Sequence, residues 1–161
     1  MGKKSIKPNK NIYQQAREDL DYTRQDVDNL TNGVLSTSRI EKIESGTANA
    51  HPEDVLVMAK VYRKPELCNY FCTNECEIGK KYVPAVKTIH DLPQITMTLL
   101  SNLNALNKDK DRIIDITADG KVTEDERTDF ELIKNHLDEM SLTIETLKLW
   151  INKELADPAN A

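Results

Sequence analysis

The strongest constraint on the fold is a heptad pattern near the C-terminal end of the sequence. Seven apolar residues follow one another at alternating steps of three and four: Phe130, Ile133, Leu137, Met140, Ile144, Leu147 and Ile151. This pattern predicts a helix with a continuous apolar stripe, roughly 48 Å long if it extends from Thr123 to Glu154. A small domain does not cover a helix of that length, so we expect the stripe to be buried within the chain, against a second copy, or both.

A second apolar stripe precedes the first and predicts its partner. Its residues, again at helical spacing, are Leu92, Ile95, Leu99, Leu103 and Leu106. The link between the two predicted helices is short, which favours an antiparallel hairpin over residues 91–156. The composition agrees with helices, because 5 Gly, 6 Pro and 30% charged residues in a chain of 161 are unlike an all-β protein.

The N-terminal region has shorter helical periods separated by turns. Apolar residues group as Ile12, Ala16 and Leu20; Val27 and Leu30; Ile40 and Ile43; and Val55, Leu56, Ala59 and Val61. Thr23 and Asp26 have the spacing of a helix-capping pair, and Pro52 suits a first helical turn. Gly46 is placed to end the third helix. Four compact helices are predicted.

The charge distribution separates the two halves of the chain. Residues 1–65 carry 11 Lys and Arg against 9 Asp and Glu, whereas residues 66–161 carry 11 against 18. A mildly basic front half is compatible with phosphate contacts, and the acidic rear half is not. No apolar run is long enough to cross a membrane and the N-terminus lacks a signal-peptide pattern, so the sequence predicts a cytoplasmic protein without membrane contact.

Two segments carry a family resemblance. The stretches TRQDVDNL and STSRIEKIESG, followed by HPEDVLVMAKVY, resemble the helix-turn-helix domain of the Cro and lambda-repressor type, often called XRE-like. The matching positions are Thr23, Val27, Ser36, Ile40, Ile43, Glu44, Gly46 and Ala59. The resemblance covers about one third of the chain. It implies an N-terminal helix-turn-helix domain of four to five short helices. Together with the long antiparallel hairpin that the periodicity predicts, the expected fold is all-α.

The resemblance also implies a function, namely a sequence-specific DNA-binding transcriptional regulator of bacterial or phage type. In that family, the helix corresponding to residues 36–45 enters the major groove of double-stranded DNA. The implied DNA-binding residues are Arg24, Gln25, Ser36, Thr37, Ser38, Arg39, Glu41 and Lys42. Base edges are expected near Thr37, Ser38 and Glu41, and phosphates near Arg24 and Arg39. Glu44 is expected to be structural, in a pair with Arg17 or a neighbouring turn. A homodimer through the hairpin is expected to place two reading helices about one DNA turn apart.

An interaction module is the first alternative. The family has a small residue where this chain has Asp28, and Glu41 would repel phosphate at a position that faces the bases. Together with the acidic net charge of −5, these residues favour a helix-turn-helix that binds protein instead of DNA.

A metal-responsive sensor is the second alternative, with two candidate sites. Cys68, Cys72 and Cys76 are spaced by four residues, but one unbroken helix would separate the first and last by roughly 12 Å, so a shared thiol site needs a break near residues 73–74. We prefer Cys68 and Cys72 as small apolar residues that pack with Leu67 and Phe71.

The second candidate metal site is the predicted hairpin turn, DITADGKVTEDE. It matches an EF-hand calcium loop, with candidate ligands at Asp115, Thr117, Asp119, Lys121 and Glu126. The same residues have another explanation, which we prefer. Asp119 and Gly120 favour a turn, and Thr123 with Glu126 has the spacing of a capping box for the long helix.

Four regions result: a flexible basic arm (1–10), a helix-turn-helix DNA-binding domain (11–64), a Cys-containing connector (65–90) and the hairpin (91–156). The arm contains Lys3, Lys4, Lys7 and Lys10. His51, His90 and His136 are far apart, and there is no nucleophile motif and no Gly-rich phosphate loop. The sequence therefore predicts no enzymatic activity and no cofactor.

Overall fold

The computed structural model describes residues 10–156, which form eight helices and contain no strand. The all-α prediction is confirmed. The helices are α1 (Ile12–Glu18), α2 (Arg24–Leu30), α3 (Thr37–Ser45), α4 (Pro52–Val61), α5 (Glu66–Asn74), α6 (Glu77–Tyr82), α7 (Leu92–Thr117) and α8 (Arg127–Ala156). The described residues divide into two compact units, residues 10–83 with 152–156 and residues 84–151. The predicted basic arm lies outside the described residues except for Lys10, which donates to Glu18 at 2.6 Å.

Short-range capping determines where the first helices begin. Thr23 and Asp26 form the predicted capping box of α2, in which each residue's side chain accepts from the other's backbone N–H. Ser36 accepts from the backbone N–H of Arg39 at the start of α3, and Pro52 occupies the first turn of α4. Gly46 ends α3 in the left-handed conformation, with φ of 75°. These local predictions are confirmed.

The first helix is shorter than predicted. It ends at Glu18, so Leu20 lies in the following turn, where Asp21 has a φ of 56°. A residue in this left-handed region cannot continue an α-helix, which is why the chain turns before α2. Leu20 nevertheless packs against the core as a half-buried residue.

The core of the first unit is contributed by α1 to α5. Its fully buried large side chains are Val27, Leu35, Ile40, Val55, Met58, Tyr62 and Leu67. Ile40 and Ile43 of α3 both belong to it, and they lie on one side of the helix because they are three residues apart. The apolar residues of α3 therefore face inward together with Glu44, and its exposed residues Ser38, Glu41, Lys42 and Ser45 are all polar.

The segment with the three cysteines forms two helices instead of one. The helix break lies between Asn74 and Glu77, and Cys76 caps α6 by accepting from the backbone N–H of Gly79 at 3.4 Å. Gly79 lies so close to α5 that a Cβ atom there would be 2.1 Å from the backbone oxygen of Cys72. The sequence prediction did not include α6 as a separate helix. Both α5 and α6 belong to the first unit.

The second unit contains the long hairpin, and side-chain pairs show that its helices are antiparallel. Asn102 of α7 donates to the Thr143 hydroxyl of α8 at 2.8 Å, Asp109 bonds His136, and Arg112 donates to Asp129 at 2.6 Å. As the residue number rises along α7, that of its partner falls along α8. Polar pairs of this kind favour one register, because a shifted register would leave buried polar groups without partners.

The face of α8 that contacts α7 differs from the predicted apolar stripe. Ile133 and Met140 are buried as expected, but Phe130, Leu137, Ile144 and Ile151 are exposed. The contact line instead runs through the polar residues His136 and Thr143, which follow Ile133 and Met140 by three residues. On α7, Ile95 is buried whereas Leu92 and Leu103 are exposed. The physical reason is the polar pairing, which turns α8 so that only part of its apolar stripe meets α7.

None of the helices in residues 10–156 has both the length and the apolar composition that crossing a membrane requires.

Candidate nucleic-acid interface

The candidate interface is the outward side of α3. Ser38, Glu41, Lys42 and Ser45 are all exposed, and their spacing of three, four and seven residues places them on one side of the helix. Thr37 at the start of the helix is half-buried. The result is a row of short hydroxyl groups with one carboxylate and one ammonium group. All can exchange hydrogen bonds with the base edges of a DNA groove or with polar groups of a protein.

A buried ion pair holds α3 from behind. The Glu44 carboxylate accepts from Arg17 of α1 through Nε at 2.6 Å and Nη2 at 2.9 Å. Burial by itself lowers the pKa of Arg17, but the hydrogen bond and charge of Glu44 raise it above its ordinary value. The guanidinium therefore stays charged and keeps its partner. The structural role predicted for Glu44 is confirmed by this contact.

The Glu44 carboxylate also pairs with Arg24, one of the two arginines predicted to contact phosphate. Arg24 Nε donates to Glu44 at 2.9 Å, and Arg24 Nη1 lies 3.5 Å from Glu41. The Arg24 side chain is about one third exposed. To contact a phosphate, the Arg24 guanidinium would therefore have to break its contact with Glu44 or Glu41, or to bridge a carboxylate and the phosphate.

The second predicted phosphate contact, Arg39, is also engaged. Its Nη2 donates to Asp54 at 2.5 Å and to the backbone oxygen of Asn49 at 2.9 Å. Burial raises the pKa of Asp54, but the hydrogen bonds from Arg39 and from the backbone N–H of His51 outweigh it, so the pKa is lowered. Arg39 thus ties α3 to the start of α4. Sequence reasoning missed this pair because the partners are 15 residues apart.

Asp28 explains how α2 and α3 accommodate a carboxylate where the resembling family has a small residue. Its Oδ2 accepts from the backbone N–H of Thr37 at 3.1 Å and so satisfies one of the free donors at the start of α3. Ser36 accepts from Arg39, and Gln25 donates to Asn29 at 3.1 Å. Arg24 of α2 therefore bonds α3 and Gln25 bonds within α2, whereas Ser38 and Lys42 lie on the exposed side of α3.

The structure brings the cysteines to the edge of the core. Cys68 packs against the core of the first unit, and all three cysteines are half-buried. Burial, and to a lesser degree the neighbouring Cys72, raises the pKa of Cys68. A thiol with a raised pKa is a poor metal ligand and a poor nucleophile near neutral pH. Between Lys10 and Ala156, no group of three or more His, Cys, Asp or Glu side chains is placed to hold a metal ion.

The loop between α7 and α8 contains the calcium-like motif, and its carboxylates make local hydrogen bonds. Glu126 accepts from the Thr123 backbone N–H at 2.9 Å and from the Thr123 hydroxyl at 2.7 Å, and Asp119 accepts from the backbone N–H of Lys121. Gly120 has a φ of 73° in this turn. The Thr123 and Glu126 contacts are one half of the predicted capping box, and α8 begins directly afterwards at Arg127. Asp115 and Thr117 lie in the last turn of α7.

Removing the Thr123 hydroxyl tests this capping role. We expect Thr123→Ala to lower the free energy of unfolding by about 1 kcal/mol equally with calcium and with a chelator, because the substitution removes the local hydrogen bond from the Thr123 hydroxyl to Glu126. Urea denaturation in both buffers measures the effect. The matched control is Thr128→Ala, an exposed threonine in the first turn of α8. A calcium-dependent rise in melting temperature of the unmodified protein would contradict the capping role and favour a calcium site.

No protein-family model matches the chain, and comparisons with curated proteins and with solved structures find no match either.

Proposed function

We propose that this protein is a cytoplasmic, sequence-specific DNA-binding transcriptional regulator that reads the major groove with α3. The observation that carries the proposal is the presentation of α3. Ile40 and Ile43 hold the helix on the core, Arg17 clamps Glu44, and Arg39 ties the helix to α4. A helix fixed in this way presents its polar outer row in one orientation, which readout of base edges requires.

The resemblance to XRE-like helix-turn-helix domains supports the proposal. It concerns the residues that build the pair α2 and α3: the Thr23 cap, Val27 and Ile40 in the core, and the Glu44 and Gly46 end of α3. Within such a pair, the second helix is the one that enters the groove. On this basis Ser38 and Glu41 are the base-reading residues and Lys42 is the principal phosphate contact.

A protein-interaction module is the second candidate function, and one observation favours it. Arg24 and Arg39 are each paired with carboxylates, which leaves Lys42 as the cation on the outer side of α3. With few free cations on this side, any binding to DNA is expected to involve few phosphate charges. Its affinity should therefore depend less on salt than that of strongly basic DNA-binding proteins.

Selection from a random DNA duplex library tests the proposed function, and anisotropy with the enriched duplex then compares variants. We expect Lys42→Gln to weaken binding to all duplexes and to reduce the salt slope by about one, because one phosphate contact is lost. We expect Ser38→Ala to relax the preference at one base pair, by roughly 1–3 kcal/mol. Lys60→Gln, an exposed lysine on α4, is the matched charge control and should bind as the unmodified protein does.

Failure of the selection contradicts the proposal. If no duplex is enriched and none binds at low salt, while circular dichroism shows the helices intact, DNA reading by α3 is excluded and the interaction module becomes the better hypothesis. An equal loss of binding in Lys42→Gln and Lys60→Gln would also contradict it, because it would indicate general charge attraction.

A further inference from the structure

Part of the heptad pattern of α8 has no cover within residues 84–151. Phe130, Leu137, Ile144 and Ile151 are exposed by 43%, 50%, 46% and 42%. They are seven residues apart and therefore form one straight stripe, which we call the outer stripe. Large apolar side chains exposed in a continuous row are costly in water, whereas single exposed ones are normal.

The other helix contributes to the same side of the hairpin. Leu137 directly follows His136 in sequence, and Leu103 directly follows Asn102, where His136 and Asn102 are both on the contact line between the helices. The residue that follows a contact residue is rotated by about 100° around the helix axis. Because the two helices are antiparallel, this rotation brings Leu137 of α8 and Leu103 of α7 to the same side of the pair. Leu92 and Leu103 of α7 are exposed on that side, and Leu99 and Leu106 are half-buried between the two rows.

The area of this side suits a protein interface. The four residues of the outer stripe together with Leu92 and Leu103 amount to roughly 500 Å² of exposed apolar surface, near the upper end of the roughly 300–600 Å² found for the largest patch on a monomer. A standard stable interface buries roughly 800 Å² per partner, so this apolar surface would supply more than half of one.

The outer stripe is complementary to itself. When a second copy of α8 is placed antiparallel to the first, Phe130 meets Ile151 and Leu137 meets Ile144, so every residue of the stripe meets an apolar partner. The neighbouring lysines do not oppose this pairing. Lys134 is paired with Asp138 at 2.6 Å and Lys148 with Glu145 at 3.1 Å. Like charges across the interface are therefore largely neutralised within each helix.

We propose that the outer stripe binds the outer stripe of a second copy of this chain, with the two α8 helices antiparallel, so that two hairpins form a four-helix bundle around a shared apolar core. Six of the seven heptad residues then serve a contact, and the seventh, Leu147, is half-buried. Ile133 and Met140 serve the intramolecular contact, and the outer stripe serves the intermolecular one. This inference concerns the hairpin and stands independently of what α3 binds.

Sedimentation of the full chain tests the interface. We expect the unmodified protein to be a dimer at micromolar concentration, and Leu137→Gln with Ile144→Gln to weaken dimerisation by roughly 100-fold or more, because polar groups would enter the apolar interface. Both residues are about half exposed, so the helices should survive. The matched control is Met97→Gln with Leu132→Gln, two exposed apolar residues away from the outer stripe, which should remain dimeric. A monomeric unmodified protein, or equal dissociation of both double variants, would overturn the proposal.

Cysteine cross-linking tests the antiparallel arrangement separately. Ser141 is exposed and lies close to the midpoint of the outer stripe, where two antiparallel copies would bring it near its own equivalent. We expect Ser141→Cys to form a covalent dimer on mild oxidation, whereas Asn135→Cys, exposed on another side of α8, and the unmodified protein should not. If the Asn135→Cys variant formed a covalent dimer and the Ser141→Cys variant did not, the proposed pairing would be excluded.

Discussion

Replacing Glu44 with Gln is expected to lower the free energy of unfolding by about 3 kcal/mol, because it removes the carboxylate that pairs with the buried Arg17 and leaves the charge of Arg17 facing Glu18 at 3.7 Å. The Glu44 side chain is only 1% exposed and accepts hydrogen bonds from both Arg17 and Arg24. Urea denaturation followed by circular dichroism measures the loss, and hydrogen exchange of the α3 amides shows that it arises in the first unit. A first unit that no longer folds would be the extreme form of the same result.

The matched control for this prediction is Glu41→Gln, one helical turn earlier on α3. The Glu41 side chain is 65% exposed and lies 3.5 Å from Arg24. An exposed pair of this kind contributes little, so we expect a change within about 0.5 kcal/mol. If the two variants were destabilised equally, the buried pair would not be the contact that holds α3 on the core.

Substituting Ala for Gly79 is expected to cost about 3 kcal/mol and to lower the melting temperature of the first unit by roughly 10–20 °C, because α6 must move away from α5. The added Cβ would lie 2.1 Å from the oxygen, 2.6 Å from the carbon and 2.8 Å from the Cα atom of Cys72. These are backbone atoms of a helix, which cannot rotate out of the way as the end of a side chain can. Calorimetry measures the shift, and faster labelling of the thiols by a disulfide reagent is expected as α6 separates from α5.

Gly46→Ala distinguishes this steric effect from a general intolerance of glycine replacement. A Cβ at Gly46 meets nothing within 4 Å, but the residue has a φ of 75°. The cost there is backbone strain alone, about 1–2 kcal/mol, without faster thiol labelling. A Gly79→Ala protein within about 0.5 kcal/mol of the unmodified one would show that the contact between α5 and α6 is looser than in this structure.

The local structure was predictable because its causes are near in sequence. The Thr23 and Asp26 capping box, the Ser36 cap and the Gly46 stop each depend on residues within three or four positions of one another. The all-α fold and the hairpin follow from periodicity in the same way. The pair of Arg17 with Glu44 was one of two predicted partners for Glu44, and the structure selects it.

Contacts between distant residues were not predictable from their types alone. Asp28 is bonded to the start of α3, and Asp54 to Arg39, over separations of 9 and 15 residues. A carboxylate in a helical protein has many cations and helix ends available as partners. Which one it meets depends on the packing of the core, here of the cluster that contains Val27, Ile40 and Met58.

The sequence by itself determined that α8 is a long helix with an apolar stripe, since a period of 3.5 residues is a property of the chain. Only the tertiary structure decided which side of that helix meets α7. Asn102 and Asp109 on α7 need polar partners once they are covered, and Thr143 and His136 supply them. Satisfying those groups rotates α8 and exposes Leu137 and Ile144. Which side of α8 is buried depends on both the apolar area and the polar pairs that the two helices form together. The sequence of one helix alone therefore does not determine it.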